Sequence, residues 1–185
     1  MSAAVLLDRD GVLNRDLPGS VTVLNELSLE PGADRAVALL SRAGYAVLVI
    51  TNQAAVGRGQ LSLDELARIN VQLAQWIAAA GGRIDRFYVC PHADHQGCAC
   101  RKPKPGLIEQ AAAEWGFVRG ETWFVGDAER DLAAARAAGC RPALVATGKG
   151  AATAAAHPEV PLYPDLYTFA AALTGGQLPS EGRPA

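Results

Sequence analysis

A short apolar run near the N-terminus ends abruptly in two carboxylates. The run covers Ala3 to Leu7, and Asp8-Arg9-Asp10-Gly11-Val12-Leu13-Asn14 follows directly. The run has the length of a buried strand, whereas acidic side chains at its end are unsuited to a core. In α/β proteins the functional groups lie where parallel strands end. We therefore expect a strand of a parallel sheet here, with Asp8 and Asp10 at its rim.

The spacing of Asp8 and Asp10 restricts what this rim can do. Two carboxylates this close repel each other when both are ionised, so they need a cation or a shared proton. The motif therefore indicates a magnesium site, an acid/base pair, or both. A simple polar turn at Asp10-Gly11 also fits this stretch when it is taken alone.

Apolar runs of strand length alternate with helical segments along the rest of the chain. This alternation predicts a three-layer α/β sandwich, Rossmann-like, with helices on both faces of a mostly parallel sheet. The long segment after Asn14 is expected to form a flap, with a short strand at Val21–Leu24. The other expected strands are Tyr45–Ile50, Arg86–Val89, Thr122–Val125 and Pro142–Ala146, and helices are expected near 31–43, 62–80, 106–115, 132–138 and 166–173.

Length and composition place limits on the class of protein. The 185 residues fit one domain, expected at 1–174, followed by a flexible Gly/Pro-rich tail at 175–185. The net charge of −2 argues against a nucleic-acid or membrane-surface binder. Neither a signal peptide nor a bilayer-spanning apolar stretch is evident. We therefore expect a cytoplasmic protein without nucleic-acid or membrane partners, and the small flap and single domain indicate a monomer.

One loop combines three cysteines and a histidine. Cys90-x-His92 is followed, after five residues, by Cys98-x-Cys100. In a reducing compartment such a cluster indicates a metal rather than disulfides. Three thiolates and one imidazole form a ligand set that zinc favours in closed structural sites. We therefore predict that these four residues bind zinc, whereas Cys140 stands apart and is interpreted as a buried, inert thiol.

Polar residues end two further predicted strands, at Thr51-Asn52-Gln53 and at Gly126-Asp127. Because the carboxyl ends of parallel strands converge, these residues should share one crevice with Asp8 and Asp10. Magnesium prefers oxygen ligands, and a nearby lysine and hydroxyl would hold a phosphoryl group. One carboxylate of the first pair would attack that group as a nucleophile, and the other would protonate the leaving alcohol.

In order and spacing, Asp8–Asn14, Thr51–Gln53, Lys102 and Gly126-Asp127 resemble the four motifs of the haloacid dehalogenase-like phosphatases. The resemblance spans residues 5 to 147, most of the chain. It implies a magnesium-dependent phosphatase that works through an aspartyl phosphate. The implied roles are nucleophile for Asp8, general acid/base for Asp10, phosphoryl binders for Thr51 and Lys102, and magnesium ligands for Asp8, the Asp10 carbonyl and Asp127.

The cysteine-containing loop, joined to Arg101-Lys102-Pro103, is similar to that of a smaller group, the heptose bisphosphate phosphatases and their relatives the histidinol-phosphate phosphatases. That similarity implies a structural zinc that fixes the loop. The segment Ala55–Gly59 is more similar to the heptose enzymes, which remove the C7 phosphate of D-glycero-D-manno-heptose 1,7-bisphosphate. A phosphorylated sugar is therefore the expected small-molecule partner, and the resemblance implies that Asn52, Gln53, Arg58 and Arg101 hold the sugar and its remaining phosphate.

Alternatives remain open at this point. Histidinol phosphate is a second candidate substrate, and a non-catalytic, zinc-stabilised binding module is a third interpretation. Lys104 lies close to Lys102 in the sequence and could be confused with it. Asp131 lies about one helical turn after Asp127, either supporting a metal site or opening a helix. Many relatives carry a basic residue right after Gly-Asp, where this chain has Ala128.

Overall fold

Six strands form one sheet in the structure, a computed structural model that describes residues 3–176. The strands are β1 (Ala4–Leu7), β2 (Ala46–Asn52), β3 (Arg86–Cys90), β4 (Trp123–Gly126), β5 (Arg141–Val145) and β6 (Leu162–Tyr163). Their order is β3-β2-β1-β4-β5-β6, and every neighbouring pair is parallel. Most of the predicted C-terminal tail, from Gln177 onward, lies outside the described residues.

Helices cover both faces of this sheet. Alternate residues of β1 point into two separate cores, Val5 and Leu7 into one and Ala4 and Leu6 into the other. The first core is closed by α1 (Ala33–Arg42), α3 (Leu63–Ala79) and α7 (Leu166–Thr174), and the second by α4 (Gly106–Trp115) and α5 (Glu129–Ala138). The predicted three-layer α/β sandwich is confirmed. Two short helices complete the set, α2 (Ala54–Gly57) and α6 (Gly150–Ala156).

The strand predicted at Val21–Leu24 is wrong. The carboxylate of Glu26 accepts hydrogen bonds from the backbone N–H of Thr22, at 2.9 Å, and of Val23. A 3₁₀ turn at Leu24–Glu26 follows. These local side-chain bonds satisfy the backbone donors that a strand would pair with a neighbour. Val21 is nevertheless fully buried, so the apolar sequence pattern correctly indicated a buried residue but not a strand.

The glycine-containing segment after β2 begins as a short helix, α2. Gly57 ends this helix directly against the cysteine-containing loop. A Cβ atom at Gly57 would lie 2.4 Å from the backbone nitrogen of Ala93, so only glycine permits this contact. α2 therefore supports the loop that carries the predicted zinc ligands.

Strand order brings the predicted functional residues together. β1 lies between β2 and β4, and Leu7 is in register with Val49 on one side and Val125 on the other. The residues that follow these positions, including Asp8 and Asp127, therefore emerge at the same edge of the sheet. Within residues 3–176, none of the helices combines the length and apolar character needed to cross a bilayer.

Candidate active site

Three buried carboxylates meet at the ends of β1 and β4. Asp8 follows β1, Asp127 follows β4, and Asp131 lies in the first turn of α5. One oxygen of each lies within 4.8 Å of the others, and the three residues are no more than 2% exposed. Oδ1 of Asp127 has no hydrogen-bond partner within the described part of the chain. A buried, unpaired carboxylate oxygen is costly, so this donor set fits a hard cation such as magnesium.

Lys102 supplies the positive charge of this carboxylate cluster. Its Nζ lies 2.9 Å from Oδ1 of Asp8 and 2.7 Å from Oδ1 of Asp131, and it donates to the carbonyl oxygen of Ile50 at 2.8 Å. Burial alone would lower the pKa of Lys102, but Asp131 and Asp8 raise it above its ordinary value. Lys104 instead donates to the carbonyl of Cys98. The structure thus brings Lys102, and not Lys104, to the predicted nucleophile.

Asp131 combines both functions that the sequence left open. Its Oδ2 accepts from the backbone N–H of Ala128 at 3.0 Å and of Asp127 at 3.3 Å, where α5 begins. Its Oδ1 pairs with Lys102. The residue therefore opens the helix and also fixes the lysine beside Asp8. Ala128 is buried at this turn and brings no charge to the cluster.

The carboxylate cluster is strained electrostatically without a bound cation. Burial raises the pKa of Asp8 to about 7, with repulsion from Asp131 adding to it and attraction by Lys102 opposing it. Burial likewise raises the pKa of Asp127 to about 6, although the backbone N–H of Lys149 counteracts part of this effect. A divalent cation would restore the ionised state of both groups, because an opposite charge nearby favours a carboxylate.

Asp10 has a different environment from Asp8. Arg9 donates to both of its oxygens, at 2.9 and 3.2 Å, Asn14 donates at 2.9 Å and Gln53 at 2.8 Å. Burial favours a higher pKa, but the Arg9 charge and these hydrogen bonds outweigh it and lower the pKa of Asp10. The pKa values of the two acids of the first motif are therefore shifted in opposite directions. Their predicted roles require an ionised Asp8 and a protonated Asp10, so these shifts must be offset when cation and substrate bind.

A loop that the sequence analysis missed closes over Asp127. The backbone N–H of Lys149 donates to Oδ2 of Asp127 at 2.8 Å, and Thr147 donates to the carbonyl of Gly11 at 2.6 Å. A Cβ atom at Gly11 or Gly148 would lie 2.3 or 2.2 Å from Oδ2 of Asp127. Both glycines have positive φ, +85° and +57°. Polar residues at the end of β5 were the available signal, since β5 ends at the same edge of the sheet.

The three polar residues that end β2 and follow it, Thr51, Asn52 and Gln53, make different contacts. Asn52 forms two hydrogen bonds with the backbone of Lys102, donating at 3.0 Å and accepting at 3.1 Å. Gln53 is fully buried and donates to Asp10 and, at 2.9 Å, to Oγ1 of Thr51. Asn52 thus holds the loop and Gln53 orients an acid. Their predicted contacts with a sugar, and that of Thr51 with a phosphoryl group, stay predictions.

The four predicted zinc ligands converge in the loop after β3. Sγ of Cys90 lies 3.6 Å from Nδ1 of His92 and 3.6 Å from Sγ of Cys98. Sγ of Cys100 lies 3.3 Å from His92 and 3.4 Å from Cys98. Tetrahedral zinc–thiolate bonds give ligand separations of about 3.7 Å. This Cys/His cluster can therefore hold a small tetrahedral metal ion, and Cys140 lies outside it.

Basic residues surround the mouth of the crevice. A polar cavity of about 220 Å³ is lined by Arg58, Arg101, Arg130 and Lys149 and reaches Asp10. Arg101 pairs with Asp94 and donates to the carbonyl of His92, and Arg58 donates to Gln60 at 2.7 Å. The predicted residues Arg58 and Arg101 thus lie at the mouth. Arg130 was missed, because one charged residue in a helical segment carries no sequence signal of its own.

Comparisons with known proteins agree with this geometry. A model of the HAD-hydrolase-like family matches residues 99–169. The D-glycero-β-D-manno-heptose-1,7-bisphosphate 7-phosphatase of Neisseria meningitidis serogroup A is 43% identical over 153 residues, covering 83% of this chain and 82% of the relative. The enzyme of the same name from Pseudomonas aeruginosa is 42% identical over 171 residues, covering 91% and 96%.

The fold also matches solved structures. The crystal structure of D,D-heptose 1,7-bisphosphate phosphatase from Bordetella bronchiseptica, complexed with magnesium and phosphate, superposes with a TM-score of 0.91. It is 36% identical, and the match covers 95% of this chain and 99% of that one. The corresponding enzyme from Burkholderia thailandensis gives a TM-score of 0.71 at 35% identity, covering 92% and 97%.

Proposed function

From the premise that this chain belongs to the haloacid dehalogenase-like family and is a phosphoric monoester hydrolase, we propose that it removes the C7 phosphate of D-glycero-β-D-manno-heptose 1,7-bisphosphate. The observation that carries the proposal is the buried cluster of Asp8, Asp127 and Asp131 around Lys102. That cluster supplies a nucleophile and a cation site at one point. The similarity to heptose enzymes over most of the chain supports this substrate over histidinol phosphate.

The reaction we propose proceeds in two steps. An Asp8 carboxylate oxygen attacks phosphorus, the bond from phosphorus to the sugar oxygen breaks, and Asp10 gives its proton to that oxygen. Water then attacks the aspartyl phosphate while Asp10 takes up a proton, which releases phosphate and restores Asp8. Lys102 stabilises charge on the transferring group. The first step uses the ionised form of Asp8 and the protonated form of Asp10.

Magnesium is the proposed catalytic ion. The residues that would hold it are Asp8, Asp127 and the backbone carbonyl of Asp10, as the family resemblance implies. When bound, the ion would neutralise charge on the phosphoryl oxygens and keep Asp8 ionised. The magnesium in the Bordetella bronchiseptica structure supports this choice. Within this chain, the unpaired Oδ1 of Asp127 supports it independently.

Zinc is the proposed ion of the Cys/His cluster. Three cysteines and a histidine form a ligand set that zinc favours in structural sites, and the separations between their ligand atoms suit tetrahedral coordination. The cluster lies directly before Arg101 and Lys102, so the zinc would hold the backbone from which Lys102 extends. A cytoplasmic location and a monomeric state stay predictions from the sequence.

Steady-state turnover with magnesium tests the proposed substrate. The two anomers of heptose 1,7-bisphosphate and histidinol phosphate would be compared side by side. We expect the β anomer to give the highest kcat/KM, because the relatives described above carry that anomer in their names. A preference for histidinol phosphate would overturn the substrate and leave the proposed chemistry intact. Absence of phosphate release from all three would overturn both.

A further inference from the structure

Arg130 lies at the mouth of the crevice, and within the described part of the chain its guanidinium has no hydrogen-bond or ion-pair partner. It lies in the first turn of α5, and its side chain is half-buried. Its Nε is inaccessible to solvent and has no hydrogen-bond partner among residues 3–176. It forms no ion pair with Asp8, Asp127 or Asp131 either, although it lies close enough to feel their charges. A buried donor without a partner is unfavourable, so the arrangement suits an anion supplied from outside.

The other arginines around the crevice already have partners. Arg9 is bound to Asp10, and Arg101 is bound to Asp94 and to the carbonyl of His92. Arg58 donates to Gln60. Each of these would exchange an existing bond for a bond to a ligand. Arg130 would gain a partner at no such cost, so it is the guanidinium best placed to bind an anion.

Arg130 takes no part in the contacts that Lys102 makes with Asp8 and Asp131. Lys102 already occupies the space between Asp8 and Asp131, where the nucleophile reacts. Arg130 instead lines the polar cavity of about 220 Å³ that Asp10 also lines. It also lines a second cavity, of about 380 Å³, beside the Cys/His cluster. An anion bound in the 220 Å³ cavity would therefore contact Arg130 without displacing Lys102 from Asp8 and Asp131.

We propose that Arg130 binds the phosphate that the enzyme does not remove, the one at C1 of the sugar, and thereby selects bisphosphates over monophosphates. This inference rests on the proposed function, since only a bisphosphate carries a second anion. A planar guanidinium forms paired hydrogen bonds with phosphate oxygens. Arg130 is thus a specificity-determining residue, which acts on substrate binding and leaves the bond-breaking step to Asp8 and Lys102.

Three constants of the variant Arg130→Gln test this assignment. Loss of the guanidinium should raise KM for the heptose bisphosphate about ten- to a hundredfold, with kcat within about twofold of wild type. The inhibition constant of the product, heptose 1-phosphate, should rise by a similar factor, because this ligand retains only the C1 phosphate. The inhibition constant of inorganic phosphate, which occupies the position of the transferring group, should stay unchanged.

The matched control is Arg136→Gln, which removes a surface arginine from the same helix, where it pairs with Glu159. It should leave all three constants unchanged, whereas Arg130→Lys should recover part of the lost affinity. A parallel rise in the inhibition constant of inorganic phosphate would overturn the inference, and so would unchanged constants in Arg130→Gln. Failure of the proposed function would appear already in wild type, as absence of bisphosphate turnover, and would remove both proposals.

Discussion

The two candidate metal sites of this chain differ in what holds their ligands in place. The carboxylate cluster draws Asp8, Asp127 and Asp131 from positions far apart in the sequence, and all three are fully buried at strand or helix ends. The Cys/His cluster draws its ligands from a single loop of eleven residues, Cys90 to Cys100. Of these four ligands only Cys90, the last residue of β3, is buried.

The two candidate metal sites therefore differ in how much their structure depends on a bound ion. Packing of the sheet and helices fixes the carboxylates without help from an ion, so we interpret their cation as catalytic. The loop has little core of its own, so its metal would supply folding energy for that segment. Lys102 connects the two sites, because its backbone continues that loop and its Nζ enters the carboxylate cluster. We therefore propose that the Cys/His cluster acts on catalysis by placing Lys102.

Replacement of the proposed nucleophile should have the largest effect and leave the fold intact. Asp8→Asn keeps the size of the side chain and removes one of three repelling carboxylates. We expect kcat to fall about a thousandfold or more, with a melting temperature no more than a few degrees below wild type. Asp64→Asn, an exposed acid in the first turn of α3, is the control for a lost charge. Substantial remaining turnover in Asp8→Asn would exclude an aspartyl phosphate.

Removal of the loop metal should do the opposite and destabilise the protein. Cys98→Ser deletes one ligand, and we expect the free energy of unfolding to fall by about 3 kcal/mol. For a chain of this size that corresponds to a loss of about 10 °C in melting temperature. Scanning calorimetry, with the zinc content measured alongside, gives the result. A zinc chelator should reproduce the loss in wild type, whereas withdrawal of magnesium alone should only stop turnover.

The control for this prediction is Cys140→Ala. Cys140 is a buried cysteine outside the cluster, so its variant reports the cost of losing a packed thiol. We expect Cys140→Ala to keep its zinc. Equal melting temperatures for Cys98→Ser and Cys140→Ala would contradict a structural metal at the loop.

The sequence predicted best those parts of the site that a short motif carries. Asp8 follows a run with the length of a buried strand, and the Cys90–Cys100 loop contains its complete ligand set. Strand alternation then predicted the sheet that brings Asp8 and Asp127 together. Ser62 was expected to open a helix, and its hydroxyl accepts from the N–H of Glu65 where α3 begins. In each case the local pattern and the tertiary structure favour the same conformation.

Features that depend on tertiary contact were not predictable from the sequence. The close approach of Gly148 to Asp127 exists only after β4 and β5 have paired. The missing partner of Arg130 is a property of the assembled crevice, invisible in a helical segment. At Val21–Leu24 the apolar pattern was misleading, because Glu26 binds backbone donors that a strand would have used. The apolar pattern at Val21–Leu24 correctly indicated that Val21 is buried, but it did not indicate the backbone conformation.

The stability of the carboxylate cluster should depend on pH. The pKa of Asp8 is raised to about 7 and that of Asp127 to about 6. A carboxyl whose pKa is higher in the folded chain than in the unfolded chain stabilises the fold most at low pH. That contribution is lost as the pH rises toward the folded-state value. Without magnesium, the carboxylate cluster should therefore lower the free energy of unfolding as the pH rises from 5 to 8.

Magnesium should reverse this loss, because it binds the ionised carboxylates. We expect the rise in melting temperature on adding magnesium to be larger at pH 8 than at pH 5.5. Asp127→Asn should weaken both the pH dependence and the magnesium effect, while it leaves zinc content unchanged. A magnesium effect of the same size at both pH values would contradict the assignment of the raised pKa values to the cation site.

The smallest effect we predict concerns the link between the two sites. Asn52, at the end of β2, forms two hydrogen bonds with the backbone of Lys102. It therefore anchors to the sheet the same backbone segment that the Cys/His cluster would anchor through the loop. We expect Asn52→Ala to cost about 1–2 kcal/mol of stability and to lower kcat about tenfold, with zinc still bound. The exposed Asn25 provides the control, Asn25→Ala. A rise in KM alone would instead support the predicted contact between Asn52 and the sugar.

Combining Asn52→Ala with Cys98→Ser then measures whether the two supports of Lys102 depend on each other. If both act through the same backbone segment, the loss of kcat in the double variant should be smaller than the sum of the two single losses, expressed as free energies. The expected coupling is about 1 kcal/mol, which is at the lower end of what contacting residues show. Strict additivity would mean that the Cys/His cluster stabilises the chain without placing the lysine, and the two sites would then be independent.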